Sequence, residues 1–445
     1  MRTDVDTAII GAGLGGLFVA AELRAAGLTD LLVIDRAADA GGLVRSIEED
    51  GYCLEPGAGS FLLPHPHLST SFAQLDAEVV PATPESAIRY VYARDRLHRI
   101  APSPKSVLAP VVSIRAKLRA AAELRMAKRT STEPEESLHD FLVRRFGREV
   151  GALGGTLAAA GVFAGDPKRL SASAAFPTLT GLEQEYGSIL KGMRARMRQR
   201  PEGVPKPRTH VPAGSMKQLA FHGAGTFGDR VEYLAEVASV RPVDGGWVIE
   251  GPTSIRARNV VVALDPSDAA EILPPEFLEP LTALPHAPVA VVGLGGLADA
   301  LRLPNGFGVL PGHGYQFATR GVLFESEYAP HRAPTGHVLA KSILGGAGRE
   351  HLLETDDDSL IETAVNDLAT LIGGDPAPTF ARVVRHPRGI PQYGLGHAVW
   401  RSSVERLVGG LTGLHLAGWG YHGVGLTHLA TDARRIRARV LHPTT

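Results

Sequence analysis

Near the amino terminus, Gly11-Ala12-Gly13-Leu14-Gly15-Gly16 has the residue types and spacing that suit phosphate chemistry. The apolar, β-branched run Thr7-Ala8-Ile9-Ile10 precedes it, and residues 17–26, rich in Ala and Leu, predict a helix after it. A second apolar run, Leu31-Leu32-Val33-Ile34, stops at Asp35, 24 residues beyond Gly11. Strand, glycine turn, helix, strand and acid in this order predict a dinucleotide site. Gly11 permits the tight turn, Gly13 lets backbone approach a pyrophosphate, and Gly16 lets helix and strand pack closely. Unpaired N–H groups and the positive end of the dipole at the helix start attract the phosphates. Asp35 is spaced to accept hydrogen bonds from ribose hydroxyls. The far end of the chain offers a second such arrangement. Leu414-His415-Leu416-Ala417-Gly418 predicts a last strand, Trp419-Gly420-Tyr421-His422-Gly423-Val424-Gly425 a glycine turn, and residues 426–441 a basic helix. Glycines beside a helix start let backbone lie against a flat ring with the dipole facing it.

The nucleotide class follows from the next stretch. A second glycine pair, Gly41-Gly42, comes just after Asp35, and Gly51-Tyr52-Cys53-Leu54-Glu55 predicts a further strand. This pattern resembles the glutathione-reductase-like FAD fold of amine oxidases and their relatives, in which the doublet leaves room for a long FAD. Asp35 departs from the Glu usual in that group, which shortens the arm that reaches the ribose.

Other chemistries lack their residues. Seventeen histidines are scattered, with His65 and His67 flanking Pro66 in an expected loop, and neither HExxH nor a cysteine cluster accompanies them. No metal site is therefore expected. No Gly-x-Ser-x-Gly elbow supports hydrolysis. The net charge of −1 argues against a nucleic-acid binder. Cys53, the single cysteine, excludes an intrachain disulfide and fits a reducing, cytoplasmic setting. The acidic start and the lack of about 18 uninterrupted apolar residues predict neither a signal peptide nor a membrane span.

Several internal blocks narrow the reading. They are Gly161-Val162-Phe163-Ala164-Gly165-Asp166-Pro167, Leu182-Glu183-Gln184-Glu185-Tyr186-Gly187, Gly214-Ser215-Met216, Gly306-Phe307-Gly308-Val309-Leu310 and Ile390-Pro391-Gln392-Tyr393-Gly394-Leu395-Gly396-His397. In this order, between the two FAD ends, they resemble the oxygen-dependent protoporphyrinogen oxidase family across essentially the whole chain. The resemblance implies an FAD enzyme that removes six electrons from protoporphyrinogen IX in three hydride transfers to flavin N5, giving protoporphyrin IX and H2O2. A sister branch acts on coproporphyrinogen III. A FAD amine oxidase or carotenoid desaturase shares both FAD ends, and a catalytically silent flavoprotein is the reading from another class. The aromatic content of 6% is poor for the aromatic cage of an amine oxidase.

The resemblance also implies roles. Gly11, Gly13, Leu14, Gly16, Asp35, Arg36, Gly42, Arg45, Gly57, Ala58, Val237, Ala263, Gly418, Gly423, Val424, Gly425 and Leu426 would contact FAD, with the Val237 backbone against adenine. Arg89 falls on an arginine that pairs with a propionate in the protoporphyrinogen branch, which favours that substrate. Leu310 and Leu323 would sandwich the tetrapyrrole, Ile343 stands where many members have an aromatic, and Phe163 would also line the substrate. Gly165 would place its backbone beside the reacting ring, and no side-chain base is expected.

The expected fold class is α/β: a glutathione-reductase-like, Rossmann-type FAD domain (1–78, 209–272, 398–445), a mixed-sheet substrate domain (79–90, 273–397) and a helical insert (91–208). Within the insert, residues 105–129 carry Lys105, Arg115, Lys117, Arg119, Arg125, Lys128 and Arg129 against the single acid Glu123. Val111, Ile114 and Leu118 recur at helical spacing. This basic amphipathic stretch fits the surface of an anionic bilayer or a helix packed on its own domain. Thr132-Glu133-Pro134-Glu135 predicts a capping box, and residues 193–208 a linker. The implied partners are a porphyrinogen, O2, the inner face of the cell membrane, a ferrochelatase-type enzyme downstream and a second copy of the chain.

Overall fold

The computed structural model describes residues 4–103, 106, 108–131, 133–199, 203 and 205–442. Its first sheet is built on parallel strands in the order Val231–Glu232, Leu31–Ile34, Asp4–Ile10, Ile255–Val262. The carboxyl half of Ile255–Val262 also pairs in parallel with Leu414–Leu416, while its amino half takes the antiparallel pair Gly246–Glu250 and Ser239–Val243. The stretches 8–10, 31–34 and 260–262 of the parallel strands are unbroken apolar runs because both faces are covered there. Ile9, Val33 and Val261 face helices Leu14–Ala25, Met216–Gly225 and Leu426–Leu441. Alternate residues Ala8, Ile10, Leu32, Val260 and Val262 pack on the other side with Phe277 and Val404. Val231–Glu232 is short because residues 233–238 leave the sheet, with Leu234 at φ +56°.

The second sheet runs Phe380–Pro391, His286–Leu297, His337–Gly345, Thr319–Leu323, Gly308–Pro311, Arg89–Ala93, Arg96–Ile100. Its hairpin 89–100 carries this sheet past the expected boundary at residue 90. Ala290, Val292, Val309, Val322 and Leu344 pack under helix Asp357–Ile372, whose Leu360, Ala364 and Leu368 form the same core. The opposite face meets Leu54 and Tyr52, which pack where Gly293 and Gly295 have no side chains.

The insert differs from expectation in several places. Among the described residues of 105–129, only Ile114–Ala121 is α-helical, followed by a 3₁₀ turn Ala122–Arg125, and Lys105 lies outside the described residues. Glu123 is fully buried: it pairs with Arg145 and accepts hydrogen bonds from Ser188 Oγ (2.6 Å) and Ile189 N (2.8 Å). Burial alone would raise its pKa, but the Ser188 and Arg145 hydrogen bonds hold it below the usual carboxylate range. Thr132 lies outside the described residues, and the next helix, Leu138–Phe146, is capped instead by Ser137, whose Oγ accepts from Asp140 N at 3.1 Å. Residues 193–198 continue helix Ile189–Arg198 and are not linker. Pro66 and His67 are not in a loop but open helix Pro66–Gln74, and His65 is its N-cap, its Nδ1 accepting from Leu68 N.

Candidate functional site

Four parallel strands end level with one another, since Ile10 pairs with both Ile34 and Val262, and Val262 with Leu416. The segments leaving that edge are the glycine turn, Asp35, Ala263 and residues 417–425. Ligands of open α/β sheets lie at such a carboxyl edge. Gly11 turns at φ +107°, and a Cβ there would lie 2.7 Å from Ala263 O. A Cβ on Gly16 would lie 1.9 Å from Gly11 O, so the helix starts in direct contact with the turn. Leu14 is the buried first residue of that helix; its N-cap, Gly13, supplies no side-chain acceptor, and its first turn holds no acid. Its N–H groups are left for an external anion.

Asp35 reaches across this edge. Its two carboxylate oxygens accept from Ala12 N (2.6 Å) and Ala37 N (2.8 Å), tying the second strand's end to the glycine turn. Ala235 N donates to Asp35 O, which brings the half-buried Val237 segment alongside. Gly41 bridges to Gly13, and a Cβ on Gly42, at φ +60°, would lie 3.1 Å from Gly13 Cα. Arg45 closes the doublet through its Nε to Gly42 O at 2.9 Å, while Arg36 is exposed. At the other extremity, Gly418 backs onto Gly15, whose Cβ would lie 3.6 Å from Gly418 Cα. Gly423 lies at φ +138°, and Gly425 caps the helix that begins at Leu426, again with no side-chain acceptor and no acid in the first turn. Val424 packs against the cluster holding Phe163 and Tyr393. Gly57 and Ala58 are half-buried, and the amides of 57–59 donate to no protein acceptor among the described residues. A glycine cradle, two helix starts without side-chain caps and a loop with free donors fit FAD.

The second sheet supplies the other wall. Gly321 pairs with Ile343 and Leu323 with Lys341, so alternation places Leu323, Lys341 and Ile343 on one face. Leu310 joins them, since a Cβ on Gly321 would meet Leu310 Cδ2 at 2.6 Å. Val91 pairs with Leu310, and Arg89, two residues earlier, shares that face. Leu310, Leu323 and Ile343 are each half-buried, a strip of aliphatic side chains left partly open. Arg89 is exposed; its guanidinium lies 4.0 Å over the Phe307 ring and donates to Ser86 O. Leu54 and Tyr52 close one side of the strip by packing where Gly293 and Gly295 have no side chains. The end of helix Arg148–Phe163 closes the other, with Gly161 against Leu310.

The Phe163–Gly165 turn is held by a residue to which sequence reasoning gave no role. Gln392 Nε2 donates to Phe163 O at 2.8 Å, and a Cβ on Gly165 would lie 2.6 Å from Gln392 Oε1. Gln392 lay inside a motif already picked out, and its amide was the only available signal. The Phe163 ring, expected to line the substrate, is buried in the core of the insert against Phe176 and Tyr393. Tyr393 stacks on His397 at 3.9 Å and faces the Gly420 and Gly423 backbone, joining insert and carboxyl-terminal loop. Lys341 was likewise missed. Among the described residues, no group of three or more His, Cys, Asp or Glu side chains is arranged to hold a metal ion.

The family described as flavin containing amine oxidoreductase matches residues 14–430. Chloroplastic protoporphyrinogen oxidase of Nicotiana tabacum is 29% identical, over 98% of this chain and 85% of its own. Coproporphyrinogen III oxidase of Bacillus subtilis (strain 168) is 26% identical over 94% of each chain. A crystal structure from Exiguobacterium sp. 255-15, assigned as a protoporphyrinogen oxidase, shares the fold with a TM-score of 0.80 at 21% identity, covering 99% of both chains.

Proposed function

Since the chain belongs to the flavin containing amine oxidoreductase family, with FAD as its cofactor, we propose that it oxidises protoporphyrinogen IX to protoporphyrin IX with O2. The observation that carries this reading is the strip of Leu310, Leu323 and Ile343, with Arg89 on the same face and the FAD-lining loops beside it. A flat, apolar macrocycle rimmed by carboxylates matches an aliphatic floor with a cation at its border. FAD, when bound, accepts the hydrides that leave the macrocycle and passes the electrons to O2. The chain's own residues bind, orient and exclude water. Gly165, crowded by Gln392, keeps its backbone free of a side chain where the ring must approach, and Gln392 fixes that turn through Phe163 O. Aromatisation drives the reaction, so no residue needs to act as a strong base.

Arg89 is the residue assigned to a propionate. An Arg–carboxylate hydrogen-bonded pair is worth about 1.5–3 kcal/mol, so Arg89→Ala raises KM for the porphyrinogen roughly 10–100-fold while FAD content stays unchanged. The assay is the gain of porphyrin fluorescence by the yellow holoenzyme, with protoporphyrinogen IX and coproporphyrinogen III side by side. An unchanged KM removes Arg89 from the site. Faster turnover of coproporphyrinogen III favours the second reading, supported by the Bacillus subtilis relative's name.

The peripheral membrane reading is supported by the insert. Leu108, Ile114 and Leu118 are 74%, 76% and 69% exposed. Lys117 and Arg119 turn back onto the carbonyls of Ala109, Arg144 and Arg145, while Arg115 stays exposed. Helix Ile114–Ala121 buries none of its residues, as a helix lying on an anionic bilayer at the inner face of the cell membrane requires. No helix among the described residues is long and apolar enough to cross a membrane. Ile114→Ser with Leu118→Ser is expected to cut co-sedimentation with anionic vesicles about tenfold, by analogy with losing several buried CH₂ groups. Delivery of the poorly soluble product to a ferrochelatase-type enzyme, and pairing as a homodimer, complete the reading.

A further inference from the structure

We infer that Lys341 is a positioning residue for the flavin: through the carbonyls of Glu55 and Gly57 it fixes the loop 55–59 against the substrate sheet. The inference rests on the reading that Gly57 and Ala58 face FAD.

Lys341 shares its face with Leu323 and Ile343, yet it is only 3% exposed. A buried ammonium costs several kcal/mol unless it is paired and its N–H groups are satisfied. Here Nζ lies 2.8 Å from Glu325 Oε1 and donates to Glu55 O (2.7 Å) and Gly57 O (3.3 Å). Nζ thus makes one ion pair and two hydrogen bonds, the latter to backbone carbonyls more than 280 residues away in sequence. Arg332, also buried and paired with Glu325, takes the next alternate carbonyl, Gly59 O. The carbonyls of 55, 57 and 59 are therefore all held by cations of the second sheet's domain.

The same loop is free on its other side. The amides of 57–59 meet no protein acceptor among the described residues, so their donors remain for a ligand. The Glu55 carboxylate turns away from Lys341, accepting from Met216 N (2.8 Å) and Ser46 Oγ (2.7 Å), which anchors the loop at its start. An aliphatic side chain at 341 would fill the space with no directional hold on those carbonyls. With its donors engaged in this way, Lys341 acts through the loop and not as an acid or base.

The test uses purified holoenzyme carrying Lys341→Met or Lys341→Arg, read by FAD dissociation constant, flavin absorption spectrum and midpoint potential. Losing two charge-assisted hydrogen bonds is expected to weaken FAD about tenfold or more, and to change the resolved flavin band and the potential, with kcat falling more than KM. Lys341→Arg, which can donate to the same carbonyls, restores all three to within about threefold of the parent, on the same energetic scale. Lys341→Met leaves Glu325 paired with Arg332, so no carboxylate is stranded, and the variant should fold near the parent Tm and still show the flavin defects. Normal FAD affinity, spectrum and potential in Lys341→Met would overturn the inference. A parent enzyme that turns over neither porphyrinogen would overturn the substrate reading and leave these flavin readouts standing.

Discussion

Both sheets depend on glycines, for opposite reasons. At the edge of the parallel sheet, Gly11, Gly13, Gly16 and Gly42 bring backbone against backbone beside a helix start that has no side-chain cap. In the antiparallel sheet, Gly293, Gly295 and Gly321 make room for the chain's own side chains, Leu54, Tyr52 and Leu310. The first set shapes a cradle for something the protein does not itself supply; the second lets a flat sheet accept a neighbouring segment. Glycine alone therefore does not mark a ligand site. What distinguishes the two is whether backbone donors or side chains occupy the space that the missing Cβ leaves.

Substitutions at one glycine of each kind should separate these roles. Gly16→Ala has the largest expected effect, because its Cβ would lie 1.9 Å from a backbone oxygen that cannot rotate away. Overpacking of this severity costs about 3 kcal/mol or more, and FAD per chain, measured from absorbance, should fall to near zero. Full flavin loading would break the contrast. A middle-sized effect comes from His415, buried in the strand that continues the cradle, where burial drops its pKa to about 4. Its folded value lies below its unfolded one, so the unfolded chain takes up the proton first as pH falls. The stability that depends on a neutral His415 is present above about pH 6.5 and is lost as pH falls toward 4, roughly 2 kcal/mol of it between pH 7 and 5. Denaturant melts of the parent and His415→Phe at both pH values check this; equal pH slopes would refute it. Gly321→Ala has the smallest effect. Its Cβ crowds the far end of Leu310, which can swing aside for about 1 kcal/mol, and reaches the Val309 backbone oxygen only at 3.4 Å, so porphyrinogen KM should rise a few-fold with FAD content intact. Loss of flavin in this variant would erase the distinction between the sheets.

The same contrast decides what the sequence could reveal. The cradle was legible because each glycine answers a local demand within about two dozen residues, and the acid at 35 ends a strand visible by composition. The proposed substrate face was legible only through the blocks that resemble a known family. Nothing in the residues themselves says that Leu323 stands opposite Lys341, because strand register across a sheet is set by pairing and not by local pattern. Glu123 was misread for a related reason. In sequence it is one acid within a basic run, while its partner Arg145 and donor Ser188 arrive from two later helices. Thr132 and its neighbours imitate a helix start, but Ser137, immediately before the apolar run that begins at Leu138, does the capping.

Gly15 resting on Gly418 joins two segments about 400 residues apart. A ribosome making this protein exposes the phosphate-binding turn well before the strand and helix that complete the cradle. While the residues between them are synthesised, the first turn waits without its counterpart. Cofactor capture is thus deferred until Leu414–Leu416 and Leu426–Leu441 have emerged, and a product cut short before Leu426 has only part of the surface needed to hold a flavin.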